Sequence, residues 1–228
     1  MSVLERLRNG LIVSCQAYPG EPLRDPRTMA QMARSVINGG ACAVRVEGVE
    51  DLRAIVGTVP VPVIGLWKDG DSGVYITPTV EHARAVTSTG VDIVAIDGTR
   101  RARPDGLTLA ETVARIREHS DALIMADCGS AEDARAAESA RVDILSTTLS
   151  GYTGDRVKTQ GPDLALVDEI RAFAQLPLVV EGRIKTPDDA RIALERGAFA
   201  VCVGTAITHP TSITRWFAQE VSRARITL

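Results

Sequence analysis

STGVDIVAID (88–97) decides the fold, because its pattern returns in NGGACAVRV (38–46), ESARVDILST (138–147) and ERGAFAVCVG (195–204). Each time a helix-like segment ends, a small residue follows, and an apolar run closes near a polar group. Two further runs start on a proline step, VPVPVIG (59–65) and LPLVVEG (176–182). With LIVSC (11–15) and ALIMAD (122–127) the chain carries eight such runs, one every ~27 residues. Helical periodicity fills the gaps. AETVARIREHS (110–120) gathers Val113 and Ile116 on one face with charges opposite. PDDARIALERG (187–197) opens on Pro-Asp-Asp and closes on Gly197, the chemistry of a helix start and stop. Eight strand–helix units imply a parallel sheet closed into a TIM (β/α)8 barrel, an α/β fold with residues 1–228 as a single domain. An open doubly wound sheet would do without the eighth strand and would show an early glycine-rich fingerprint, which this chain lacks.

Composition agrees. A chain of 228 residues with 45% apolar and only 4% aromatic content suits small helices packed on buried parallel strands. A net charge of −3 with no basic stripe excludes nucleic acid as the expected partner. Cys15, Cys42, Cys128 and Cys202 sit in or beside apolar runs without metal-ligand spacing, as reduced thiols of a cytoplasmic protein would. The opening MSVLERLRNG is too charged for a secretory signal, and no apolar stretch reaches the ~18 residues of a membrane span.

Active sites of such barrels lie where the strands end. The odd runs end in Gln16, Lys68, Asp127 and Glu181, and the even ones near Arg45, Asp97, Thr147 and Gly204. Strands in register would make the odd set one polar layer at the open mouth. A lysine opening the turn KDGDSG is ordinarily just solvated. Behind an apolar strand and beside Trp67, however, burial would lower its pKa and leave an amine able to take a proton or form a Schiff base. Strands three and seven stand opposite each other, so Lys68 and Glu181 should face across the mouth. Asp97 and Asp127 have a plainer reading, capping the next helix or pairing with Arg45, Arg100 or Arg103. Gly182, in EGRI (181–184), and Gly204, in VGTAITHPTSIT (203–214), lie where barrels often hold phosphate, though glycines there also serve simple tight turns. His82 and His119 fall on expected helices and His209 stands alone, so no metal site is expected.

LIVSCQA (11–17), AVRVEG (43–48), YITPT (75–79), MADC (125–128), STTLSGYT (146–153) and EGRI together resemble the N-acylmannosamine-6-phosphate 2-epimerases, nearly end to end and in order. The resemblance implies a cofactor-independent TIM-barrel enzyme of amino-sugar and sialic acid breakdown. It would interconvert N-acetyl-D-mannosamine 6-phosphate and N-acetyl-D-glucosamine 6-phosphate. It implies Lys68 as acid/base and Glu181 as the carboxylate working opposite. Gln16, Arg45 and Asp127 would hold the sugar, and Gly182, Arg183, Gly204 and Thr205 would lie in phosphate-holding loops. A homodimer is expected. Where the family commonly has Arg-Pro, this chain has His209-Pro210, so Arg183 or Arg215 would compensate; Gly98 replaces a common alanine, a mild change. The rival readings are a Schiff-base lysine aldolase on a similar barrel and a sugar-phosphate-binding protein without activity.

Overall fold

The computed structural model describes residues 1–224. Eight strands, β1 Leu11–Cys15, β2 Ala43–Glu47, β3 Val63–Leu66, β4 Ile93–Asp97, β5 Leu123–Asp127, β6 Ile144–Ser146, β7 Leu178–Glu181 and β8 Ala200–Val203, close into a parallel barrel in chain order. The helices are α1 Val3–Leu7, α2 Pro26–Asn38, α3 Val49–Ile55, α4 Val80–Thr87, α5 Leu109–Arg117, α6 Ala131–Ser139, α7 Leu164–Arg171, α8 Pro187–Glu195, α9 Thr205–Thr208 and α10 Pro210–Ala224. This is the TIM barrel that the eightfold pattern implies.

The repeat has a physical cause. Asp92, just before β4, accepts the Val63 N–H at 2.8 Å, and Asp143, just before β6, accepts that of Ile124 at 2.7 Å. Each aspartate thus satisfies a backbone donor at the start of the preceding strand, which would otherwise be lost at the barrel floor. Most helices start at a side-chain cap: Asp25, Thr79, Thr108, Ser130, Asp163 and Thr186 each accept a backbone N–H. Such a cap stabilises by about 1 kcal/mol. Two apolar cores result. One lies between barrel and helices; the other fills the barrel with Ile12, Ile64, Ile93, Met125 and Val179, closed from below by Leu7 of α1. No helix among the described residues is long and apolar enough to cross a membrane.

Register corrects one expectation. Strand partners run Ser14↔Arg45, Glu47↔Leu66, Asp97↔Asp127 and Glu181↔Cys202. With the stagger of about one residue per strand that closes an eight-stranded barrel, Asp127 and Glu181 share a layer with Ser14 and Leu66. Gln16 and Lys68 stand one inward step higher. The expected single layer is therefore two, because Lys68 lies beyond the end of β3.

Candidate active site

Lys68 is fixed by the chain that follows it. After β3 the backbone turns back as an antiparallel bridge between Lys68 and Ile76, with Asp69 N–H donating to Tyr75 O at 3.0 Å and Thr77 N–H to Trp67 O at 2.7 Å. YITPT is thus the segment that holds the lysine. Trp67 points away, its ring 4.5 Å from that of His82, so the indole does not flank the amine as the sequence suggested. Nζ instead donates to Gln16 Oε1 at 2.7 Å and lies 5.8 Å from the Tyr18 ring centre. Burial lowers the Lys68 pKa and Arg45 pushes the same way; Glu47, Glu181 and Asp127 oppose without cancelling it.

Below it sits a buried charge cluster. Arg45 forks onto Asp127, Nη1 to Oδ1 at 3.0 Å and Nη2 to Oδ2 at 2.5 Å, and its Nη1 lies 3.0 Å from Glu181 Oε2. Burial works against the guanidinium, but the two carboxylates outweigh it and keep Arg45 charged. Thr148 Oγ1 lies 2.9 Å from both Asp127 Oδ1 and Glu181 Oε2. Burial and then Asp127 drive the Glu181 pKa up, against Arg45, Thr148 and Lys68. A carboxyl raised in pKa and an amine lowered in pKa, both open to one cavity, are shifted toward each other, the direction that proton exchange between them requires.

That cavity, about 770 Å³, is lined by Gln16, Arg45, Lys68, Thr148 and Glu181 at the barrel mouth and by Gly182, Arg183, Gly204, Thr205 and His209 toward its rim. Asp127 has no exposed surface and does not line it. Its plainer reading holds: it pairs with Arg45 and reaches the cavity only through Arg45 and Thr148. Asp97 is also a structural carboxylate, accepting from Thr99 and, at 2.6 Å, from Arg101 Nη2. Among the arginines weighed for it, Arg103 donates only to its backbone carbonyl.

Gly182 (φ 106°) and Arg183 (φ 60°) bend the chain after β7 in the left-handed region, and Gly204 caps α9. The Arg183 guanidinium is committed to the loop after β6. It donates to Ser150 O at 2.7 Å, Gly161 O at 3.0 Å and Thr159 Oγ1 at 2.9 Å. Arg215 is exposed and outside the lining. His209 is buried, with Nδ1 2.7 Å from Ser212 Oγ and Nε2 3.2 Å from Glu21 Oε1. His82 lies on α4, whereas His119 falls just past the end of α5. Sequence reading missed Thr148, Tyr18, Tyr75 and the lysines Lys158 and Lys185, all in the lining. Alternation along β6 would have found the first, since Ser146 and Thr148 share the inner face.

A family model described as "Putative N-acetylmannosamine-6-phosphate epimerase" matches residues 29–223. A Cutibacterium acnes protein described as a "Putative N-acetylmannosamine-6-phosphate 2-epimerase" is 56% identical over 217 residues, 94% of this chain and 95% of its own length. A Caldanaerobacter subterraneus protein of the same description is 47% identical over 228 residues, 99% of this chain and 96% of its own. Among solved structures, the N-acetylmannosamine-6-phosphate 2-epimerase from Clostridium perfringens superposes with a TM-score of 0.92 at 37% identity, over 96% of each chain. A thiamine phosphate pyrophosphorylase from Pyrococcus furiosus, at TM-score 0.60 and 19% identity, shares the fold alone.

Proposed function

The chain belongs to the N-acetylmannosamine-6-phosphate epimerase family, and from that premise we propose that it interconverts N-acetyl-D-mannosamine 6-phosphate and N-acetyl-D-glucosamine 6-phosphate by removing and returning the C2 proton. The observation that carries this reading is the pairing of Lys68 and Glu181 on one cavity, with pKa shifts that converge. Lys68 moves the proton on one face and Glu181 works from the other. Arg45 and Gln16 steady the negative charge that grows on the sugar oxygen as the C–H bond breaks. Asp127 acts through Arg45. Epimerisation is a proton transfer without net oxidation, so these side chains suffice for it.

The loops at Gly182, Arg183, Gly204 and Thr205 receive the phosphate, with backbone N–H groups rather than the Arg183 side chain as donors. Lys158 and Lys185 add positive potential at that end. The remote phosphate orients C2 beside Lys68, so the sugar lacking it should lose kcat as well as affinity. The whole chain serves as one domain of a cytoplasmic homodimer in amino-sugar and sialic acid breakdown. Proton NMR of N-acetylmannosamine 6-phosphate with the protein in deuterium oxide tests the chemistry. Deuterium should enter C2 as both epimers accumulate; protons retained at C2 through turnover would reject it. Borohydride should trap no sugar on Lys68.

A further inference from the structure

Thr148 presents a proton-counting problem. Its Oγ1 has three oxygen neighbours: Asp127 Oδ1 and Glu181 Oε2, each at 2.9 Å, and Ser146 Oγ at 2.7 Å. A hydroxyl carries one hydrogen. Ser146 can donate to Thr148, and Thr148 can donate to one carboxyl. The other carboxyl then meets only lone pairs, unless it carries a proton of its own. Arg45 indicates which. Its fork engages both oxygens of Asp127, the pattern of an anion, whereas Glu181 meets a single guanidinium nitrogen, Nη1, at one oxygen only.

We infer that Thr148 is a positioning residue that holds one proton between Glu181 and Asp127, so that Glu181 stands as a carboxylic acid in the resting site. This rests on the C2 proton transfer proposed above. The chain of bonds runs from Glu181 Oε2–H to Thr148 Oγ1, and from Thr148 Oγ1–H to Asp127 Oδ1. When Thr148 accepts the first proton as it gives up the second, one proton moves from Glu181 to Asp127 and no electrons are exchanged. Glu181 becomes a carboxylate that can take a proton from the sugar, and the reverse shift restores the acid. A reversible epimerase needs that exchange, because each direction begins with the opposite state.

The other charged or titratable groups around Glu181 are Arg45 on β2, Lys68 beyond β3, Asp127 on β5 and Cys202 on β8 beside it in register. Glu47 at the end of β2 bears on Lys68, whose backbone N–H lies 3.4 Å from Glu47 Oε1. Arg45 stays charged and Asp127 is held by its fork. The thiol of Cys202 is pushed well above its usual value by burial, so it adds no charge near neutrality.

Infrared difference spectra and kinetics of the intact protein test this with Thr148→Val, Thr148→Ser and Glu181→Gln. At neutral pH the wild-type protein should show the carbonyl stretch of a protonated carboxyl, lost in Glu181→Gln and moved in Thr148→Val. Thr148→Val should lower kcat on the order of tenfold, one hydrogen bond's effect, with KM near wild type and the Glu181 limb of the pH profile displaced. Thr148→Ser should restore both. A wild-type protein without the band, or a Thr148→Val protein with unchanged kcat and pH profile, overturns the inference. The band needs no substrate, so it reads the proton even if epimerisation itself is not found. If the valine variant does not fold, the band and its loss in Glu181→Gln still decide.

Discussion

Lys68 stands two residues past the end of β3, where a bridge to Ile76 holds the backbone while the side chain is half-buried, and its proposed chemistry depends on that placement. Lys68→Met keeps the stem and removes the proton carrier. It should abolish epimerisation and C2 deuterium uptake, losses of at least ~10²–10⁴-fold. Near wild-type exchange in that variant would end Lys68's role. The same substitution should stabilise the fold. A lysine whose pKa is lowered by folding penalises the native state below its folded pKa, and the penalty fades as pH climbs to the ordinary lysine value. The gain in denaturant midpoint should therefore be full below the folded pKa and shrink as pH climbs toward the ordinary lysine value. Gln16, Arg45, Lys68 and Glu181 were legible in the sequence because each ends an apolar run with an unsuited side chain. Thr148 was not. Thr147, taken for the strand end, faces outward, and one residue of slip exchanges the faces of a strand.

At the scale of elements the repeat made the strands readable, and the aspartates before β4 and β6 explain the Val-Asp step that two of its four units share. The first helix was readable too, since Ser2 and Glu5 form a capping box, yet its charge drew attention only to secretion. Gly98 is less mild than its sequence suggests. A Cβ there would lie 2.7 Å from the Ala126 Cβ and 3.1 Å from its carbonyl carbon, so β5 would have to yield. Gly98→Ala should cost about 1–3 kcal/mol in urea unfolding, the usual effect of overpacking; an unchanged midpoint would show that β5 gives way freely. Asp51, in the first turn of α3, is pushed up to about 6 by burial and then by Glu47, despite the helix N-terminus. Because folding raises this pKa, the native state is penalised above pH ~6 and spared below pH ~4, where both states are protonated. Asp51→Asn should thus stabilise by about 1 kcal/mol at pH 7, a figure reduced for solvent screening, and the gain should vanish in acid. A gain that persisted at low pH would place its origin elsewhere.

The whole molecule raises a question that its sequence did not, because low aromatic content pointed to no patch. α10 runs for 15 residues, and none of them is buried. Phe217 is 71% exposed and Val221 57%, with Ile207 of α9 exposed nearby. Ser212, Ile213 and Trp216 are half-buried against the rest of the chain, so Phe217 and Val221 form the apolar face of α10 that an apolar partner surface would cover. A second copy of the chain would supply one. Trp216 of the same helix lines the candidate active-site cavity, its ring 5.7 Å from Lys185 Nζ, so covering α10 would also steady the rim proposed to take the phosphate. The protein should therefore be a homodimer by light scattering at micromolar concentration. Phe217→Asp with Val221→Asp should shift it to monomer and raise KM for the phosphorylated sugar more than it lowers kcat, since Lys68 and Glu181 stand on the barrel itself. A wild-type monomer would remove this role for α10, and a double variant that stayed dimeric would place the interface on another face.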